Sequence, residues 1–256
     1  YNSSSKSTLS KKNYGVIIQA RMSSSRLPGK VLMDINGKSM LHRQVERLSH
    51  GIKDIPIIVA TSVDKTDNKI EELCVKNNFN IYRGPLEDVM LRFINCAEKF
   101  KLDYFVRFGA DDPLVDPECG NWMIEVHKQE YFDFIYATNK EGWPYGCAGE
   151  LISKNTLKDI HSKTKNKSHR EHTIPYFFEN SNEYKIFKVK APESINRPNY
   201  YFTVDYKEDF LLVKKIFNNM IMTHGEFFKF KDFINFIDNN KEILNINKHL
   251  HTGFDF

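Results

Sequence analysis

Short runs of β-forming residues alternate along this chain with segments whose apolar residues recur every three or four positions. Few architectures satisfy that alternation. Runs at 15–20 (GVIIQA), 56–61 (PIIVAT), 80–83 (NIYR), 104–108 (YFVRF) and 133–137 (DFIYA) read as strands. Between them Leu41, Val45 and Leu48, then Ile70, Leu73 and Cys74, then Val89, Phe93, Cys96, Ala97 and Phe100 keep helical spacing. Strands separated by helices of this kind imply βαβ crossovers and a mostly parallel sheet with helices on both faces, an α/β fold of three layers. The second half is more mixed. Residues 150–153, 184–190 and 200–204 read as strands, and helices are expected near 170–179, 208–220 and 232–244. A small mixed insertion is expected around 140–195, within a single domain over 14–256.

Composition narrows the function. With 256 residues, a compact fold buries roughly 70–75% of its unfolded surface, enough for a core without disulfides or a structural metal. The 37 basic and 33 acidic residues leave a net charge of +4, with the excess gathered in Lys6, Lys11, Lys12 and the stretch 158–170. A nucleic-acid partner would call for a basic stripe across the domain, so none is expected. No apolar run approaches the ~20 residues that span a bilayer. Cys74, Cys96, Cys119 and Cys147 lie 22, 23 and 28 residues apart. That spacing suits neither zinc nor a disulfide framework and points to reduced thiols in the cytoplasm. Residues 1–13 are rich in Ser, Asn and Lys and begin without Met, which suits a flexible arm or linker, and a domain fused to others in a longer protein.

The most informative segment follows the first strand: Gln19-Ala20-Arg21-Met22-Ser23-Ser24-Ser25-Arg26-Leu27-Pro28-Gly29-Lys30. Ligands of open parallel sheets bind beyond the carboxyl ends of the strands. Arg21, Arg26 and Lys30 there suit a polyphosphate, Arg through bidentate bonds and Lys as a point charge. A Walker A loop is excluded, since it would need Gly at 24 and Ser or Thr at 31, where the chain has Ser24 and Val31. A solvated basic loop with a Pro28-Gly29 turn remains the plainer alternative.

The stretch Q-A-R-M-x-S-x-R-L-P-G-K resembles the N-terminal motif of the cytidylyltransferase family. That family takes in the acylneuraminate and 3-deoxy-manno-octulosonate enzymes and the spore coat polysaccharide SpsF-like proteins. Four further elements resemble the family's in the same order: Leu86-Glu87-Asp88-Val89 with Arg92, Arg107 to Leu114 (RFGADDPL), Arg170 to Tyr176 (REHTIPY) and Thr203 to Asp209 (TVDYKED). The resemblance covers most of 14–215. It implies the nucleotide-diphospho-sugar transferase fold and a Mg²⁺-dependent transfer from CTP to a sugar, sugar acid or phosphorylated small molecule. Pyrophosphate would be released, in cell-surface glycan synthesis such as capsule or spore coat.

The resemblance also implies roles. Gln19, Ala20, Arg21, Met22, Ser23, Arg26, Lys30, Arg83, Gly84 and Asp111 would hold the nucleotide, with Arg21, Arg26, Lys30 and Arg107 acting in catalysis. Asp111 and Asp205 would hold Mg²⁺, and without metal these two acids are expected to repel each other. Glu150, Glu171 and His172 would meet the acceptor. Plainer readings stay open: Asp111 as a turn residue, Asp205 as a helix N-cap, Asp88 as a structural first-turn acid, Arg83 as a surface residue and His172 as a structural histidine. Two places depart from the family pattern. Tyr145 and Ala148 stand where acids are common, and Tyr201 where an Arg is common, which leaves the acceptor open. The rival functions are a GTP-dependent sugar-1-phosphate guanylyltransferase, a glycosyltransferase, and a non-catalytic nucleotide-binding domain. A homodimer is compatible with all of them.

Overall fold

In the computed structural model, which describes residues 11–252, β1 (Tyr14–Gln19) runs through the middle of the molecule. Its residues Val16, Ile17 and Ile18 are completely buried because helices cover both faces, so the strand is continuously apolar rather than alternating. A two-residue ribbon, β2 (Asp34–Ile35) and β3 (Lys38–Ser39), leads into α1 (Met40–Gly51). Asn36 and Gly37 turn it with φ of 52° and 85°, the Asn-Gly signature of a tight hairpin that the strand survey passed over. Then follow β4 (Ile57–Ser62), α2 (Asn68–Lys76), β5 (Asn80–Gly84), α3 (Val89–Lys99), β6 (Tyr104–Gly109) and α4 (Pro117–Gln129). The remainder is β7 (Phe134–Tyr136), β8 (Glu150–Ser153), α5 (Lys154–Lys163), α6 (Lys167–His172), α7 (Ile174–Glu179), β9 (Ile186–Lys188), α8 (Lys207–His224) and α9 (Phe230–Asn239).

The seven-stranded sheet has the order β5-β4-β1-β6-β8-β7-β9, with β8 antiparallel to both its neighbours and the other pairs parallel. Val16, Ile18, Val106 and Phe108 face a core shared with α1, α4, α8 and α9. Ile17, Ile58, Phe105 and Phe134 face a second core with α3, α5 and Phe177 of α7. These are the expected three layers. The chain leaves β1 toward β4 on one side and later returns to β6 on the other. A crevice therefore opens beyond the carboxyl ends of β1 and β6. The mixed character of 140–195 takes the form of β8 and β9 joining the main sheet, with α5 and α6 lying against α3.

Three expected elements differ. Residues 200–204 are extended but enter no strand. Tyr201 makes a lone bridge to Tyr145, and the amides of Phe202 and Val204 donate to Tyr145 and Asp111, which lie in loops and offer no ladder. The helix at 170–179 is broken at Thr173 (φ 57°), because Pro175 lacks the amide a continuous helix needs and fits only a new first turn. The last helix stops at Asn239 and gives way to 3₁₀ turns over Lys241–Ile246. Most of the arm expected at 1–13 lies outside the described residues, although Asn13 already exchanges hydrogen bonds with Asp103. All four cysteines are buried and free, and burial pushes the Cys74 and Cys96 thiols up to about 12. Among the described residues no helix is long and apolar enough to cross a membrane.

His127 of α4 ties β1 to this frame. Its Nε2 donates to Phe132 O at 3.1 Å, which leaves Nδ1 to accept from the Tyr14 hydroxyl at 2.8 Å, so the ring is neutral. Burial lowers its pKa from 6.5 to about 4. The unfolded chain therefore takes up a proton that the folded chain refuses, and this contribution to stability, complete above pH 6.5, is lost as pH falls toward 4. We expect His127→Gln to be less stable than the parent at pH 7.5 and to shed a smaller increment between pH 6.5 and 4.5. Chemical denaturation at the two pH values measures the difference, on the order of 2 kcal/mol.

Candidate active site

A cleft of about 660 Å³ fills the crevice and is lined from both halves of the chain. Its floor is the loop after β1. Gly29, at φ 72°, lets the amide donate back to Met22 O at 2.9 Å and closes the loop on itself. The Met22 amide in turn donates to Asp67 Oδ1 at 2.7 Å, and Asp67, itself buried, also takes the Ser62 hydroxyl and amide. The loop is therefore pinned rather than freely solvated. Arg21, Ser23, Arg26 and Lys30 all face the cleft.

Lys30 reaches deepest. Its Nζ donates to Val204 O at 2.7 Å and lies 3.9 Å from Asp111 and 3.7 Å from Asp205. The two aspartates expected to repel each other thus share an ammonium. Asp205 also accepts from Arg26 at 2.9 Å and from the Tyr201 hydroxyl at 2.8 Å. Arg26 lies over the Tyr206 ring at 5.0 Å, and the contact with Tyr206 raises its pKa. Capping of α8 falls to Asp209, which accepts from the amides of Asp205 and Tyr206 at 3.0 and 2.8 Å. The N-cap reading of Asp205 is thereby set aside, and its carboxylate is turned into the cleft.

Asp111 and Asp112 sit on the turn that ends β6. The Asp112 amide closes that turn on Gly109 O at 3.1 Å. A Cβ at 109 would come within 2.4 Å of Asp111 Oδ1, so a side chain there would push this carboxylate aside. Asp112 accepts from the Thr203 hydroxyl at 2.7 Å; burial, and then the Asp111 charge, hold its pKa well above the carboxylate range. From α1 beneath, the fully buried Gln44 donates Nε2 to Gly109 O at 2.7 Å and to Asp112 O at 3.1 Å. Gln44 was invisible in the sequence, where it is one polar position in an apolar stripe.

A chain of contacts crosses three neighbouring strands. Arg107 donates to Glu150 at 3.0 Å on β8 and to Gln19 Oε1 at 3.2 Å on β1. Burial opposes its charge, but Glu150, with Asp112 and Asp111, more than compensates and raises its pKa. Glu171 lies 3.8 Å from Arg21, and His172 borders the same end. Tyr145 stacks on Tyr201 at 4.6 Å and Tyr201 on His251 at 3.6 Å, so two of the three positions that depart from the family pattern meet in one aromatic pile.

Four expected residues do not line the cleft: Ala20, Met22, Arg83 and Gly84. Ala20 is buried in the core, and Met22 packs its side chain against that core while its backbone closes the loop. Arg83 spends its guanidinium on Ser62 O, Asp64 O, Asn68 and Glu71, because β5 is the sheet's edge and lies two strands from β1. Gly84 packs against Arg92 and Tyr82. Two of the motif elements prove to hold each other: Asp88 caps α3 through the Leu91 amide and accepts from Arg170 at 3.1 Å.

Among the described residues no cluster of three or more His, Cys, Asp or Glu is poised to hold a metal. Asp111 and Asp205 nonetheless bracket one cationic point, and carboxylates in that arrangement could hold a hard divalent ion whose remaining ligands are phosphate oxygens and water.

The sequence model described as Cytidylyltransferase matches residues 15–241. An uncharacterised protein of Methanocaldococcus jannaschii is 33% identical over 234 residues, covering 91% of this chain and 94% of that one. The spore coat polysaccharide biosynthesis protein SpsF of Bacillus subtilis is 35% identical over 206 residues, covering 78% and 85%. Among solved structures, a cytidylyltransferase from Leptospira borgpetersenii superposes with a TM-score of 0.85 at 27% identity, covering 91% of this chain and 97% of that one. A CMP:2-keto-3-deoxy-manno-octonic acid synthetase complexed with CTP shares the fold, with a TM-score of 0.62 at 16% identity, covering 81% and 99%. This chain belongs to the cytidylyltransferase family and is a nucleotidyltransferase.

Proposed function

We propose that the chain transfers CMP from CTP to an acceptor oxygen with release of pyrophosphate, assisted by Mg²⁺, in the synthesis of a surface glycan. The observation that carries the reading is the convergence of Arg21, Arg26 and Lys30 with Asp111 and Asp205 in one cleft at the ends of β1 and β6. Arg26 and Lys30 meet the β- and γ-phosphates, and Arg21 and Ser23 line their approach. Asp111 and Asp205 would hold Mg²⁺, which when bound would supply positive charge against the developing charge on the phosphates. The acceptor oxygen attacks the α-phosphorus, the bond from that phosphorus to the bridging oxygen breaks, pyrophosphate leaves with the electron pair, and the proton of an attacking hydroxyl passes to solvent. Gln19 and Arg107 stand between the nucleotide end and Glu150, Glu171 and His172 at the acceptor end. Gln44 acts through the 109–112 turn, fixing where Asp111 points.

Pyrophosphate release with CTP, GTP, UTP and ATP, each against a panel of sugars and phosphorylated acceptors, tests the reading. Release with CTP well above the others supports it; preference for GTP moves the chain to guanylyl transfer, and release with none removes the catalytic assignment. Arg26→Ala and Lys30→Ala should each raise the nucleotide KM, roughly 10- to 150-fold for a lost charge-assisted contact. Asp111→Asn and Asp205→Asn should each nearly abolish turnover, and the double variant should be little worse than either, as groups acting as a unit are non-additive. Gln44→Leu removes the clamp without touching nucleotide. We expect kcat to fall by about tenfold or more, while nucleotide affinity measured by calorimetry changes less than threefold. Equal losses in both would make Gln44 merely structural.

A further inference from the structure

A second cavity, of about 560 Å³, opens between the last turn of α1, the start of α4, residues 192–195 and the connection from α8 to α9. It shares no lining residue with the cleft. Trp122 on its wall touches Trp143 on the wall of the cleft, with ring centroids 6.0 Å apart, so the two cavities lie back to back. Two buried groups of opposite charge line it. Arg47, 6% exposed, donates Nε to Val115 O and Nη1 to Phe228 O, both at 2.8 Å. Its Nη2 has no partner among the described residues. Asp116, 3% exposed, caps α4 by accepting from the Glu118 amide at 3.0 Å through Oδ1, and its Oδ2 has no partner among the described residues. Among the described residues no carboxylate lies within ion-pair distance of the Arg47 guanidinium. Arg47 and Asp116 still feel each other's charge, yet burial prevails at both. It lowers the Arg47 pKa to about 10 and raises that of Asp116 to about 6.

A buried charge is costly until it meets an opposite one. An anion would answer Arg47 and be repelled by Asp116, and a cation would do the reverse. A molecule that carries a carboxylate and an ammonium a few ångströms apart answers both at once through charge-assisted hydrogen bonds. Trp122, Pro192, Ile195 and Phe230 make much of the remaining wall apolar, which suits an apolar substituent. Glu118, Lys229 and Lys231 stand exposed at the rim, where solvent and salt screen them. We propose that this cavity binds a free α-amino acid with an apolar side chain, its carboxylate on Arg47, its ammonium on Asp116 and its side chain against Trp122 and Ile195. The site is separate from the nucleotide cleft, so it stands whichever nucleotide that cleft takes.

Calorimetry on the full chain at neutral pH tests the site with L-leucine and L-phenylalanine. Each is compared with its deaminated acid, its decarboxylated amine and the neutral amide of that acid, which keep the side chain but lack one charge or both. The tighter of the two amino acids should bind at least about tenfold better than each of its own analogues, since a charge-assisted contact is worth a factor of about 10 to 150. The chain has two tryptophans, one on the wall of each cavity, so fluorine NMR of fluorotryptophan-labelled protein shows which cavity fills. The larger shift is expected at Trp122. Asp116→Asn keeps a competent helix cap and should weaken binding about tenfold or more. The ligand comparison is read on the unaltered chain and needs no variant to fold. No binding of either amino acid at up to about 10 mM overturns the proposal. So does equal binding of the acid, amine or amide, a larger shift at Trp143, or unchanged affinity in Asp116→Asn.

Discussion

The ammonium of Lys30 holds the two halves of this cleft together. It is the last residue of a loop fixed by the strand before it. Yet its three partners, Asp111, Asp205 and Val204 O, come from a turn some 80 residues later and a segment some 170 residues later. Three partly buried charges of opposite sign, with one carbonyl completing the donor's needs, make a contact that loses little to solvent. Asp111 and Asp205 can lie close together because a cation lies between them. The site thus keeps its shape with its own charges.

The fold was legible because βαβ units state themselves twice, once in apolar runs and once in helical periodicity. All five strands expected in the first half form within a residue or two of their expected limits. What escaped were elements whose partners are distant. Residues 200–204 have the composition of a strand, but the neighbour that would make them one is a loop, and composition does not record neighbours. The break at Thr173 was written in Pro175, and the small ribbon in Asn36-Gly37; both signals were local and were outweighed by the apolar pattern around them.

Of the candidate site, the sequence disclosed the charged residues that face the cleft and missed those that hold them there. Arg26, Lys30, Asp111 and Asp205 belong to long motifs and converge as a group. Gln44 and Asp67 carry no motif, and Asp209, which closes the TVDYKED element, drew no role from it, because a buried polar side chain is recognisable only once its partners are in place. Arg83 erred the other way. A cation beside a glycine at a strand end looks like a site, but β5 is an edge strand and its guanidinium is consumed by the local backbone.

Asp209 ties the chain's last described turns to this machinery. One carboxylate oxygen caps α8 beside Asp205, while the other accepts from Asn247 at 2.8 Å and His251 at 2.6 Å. His251 also lies flat on Tyr201, whose hydroxyl is bound to Asp205. The match to the family model ends at 241, so Asn247 and His251 lie outside the matched residues. Asn247 and His251 therefore bear on the aspartate side of the cleft through Asp209 and Tyr201, while Ile243 anchors the same segment in the core.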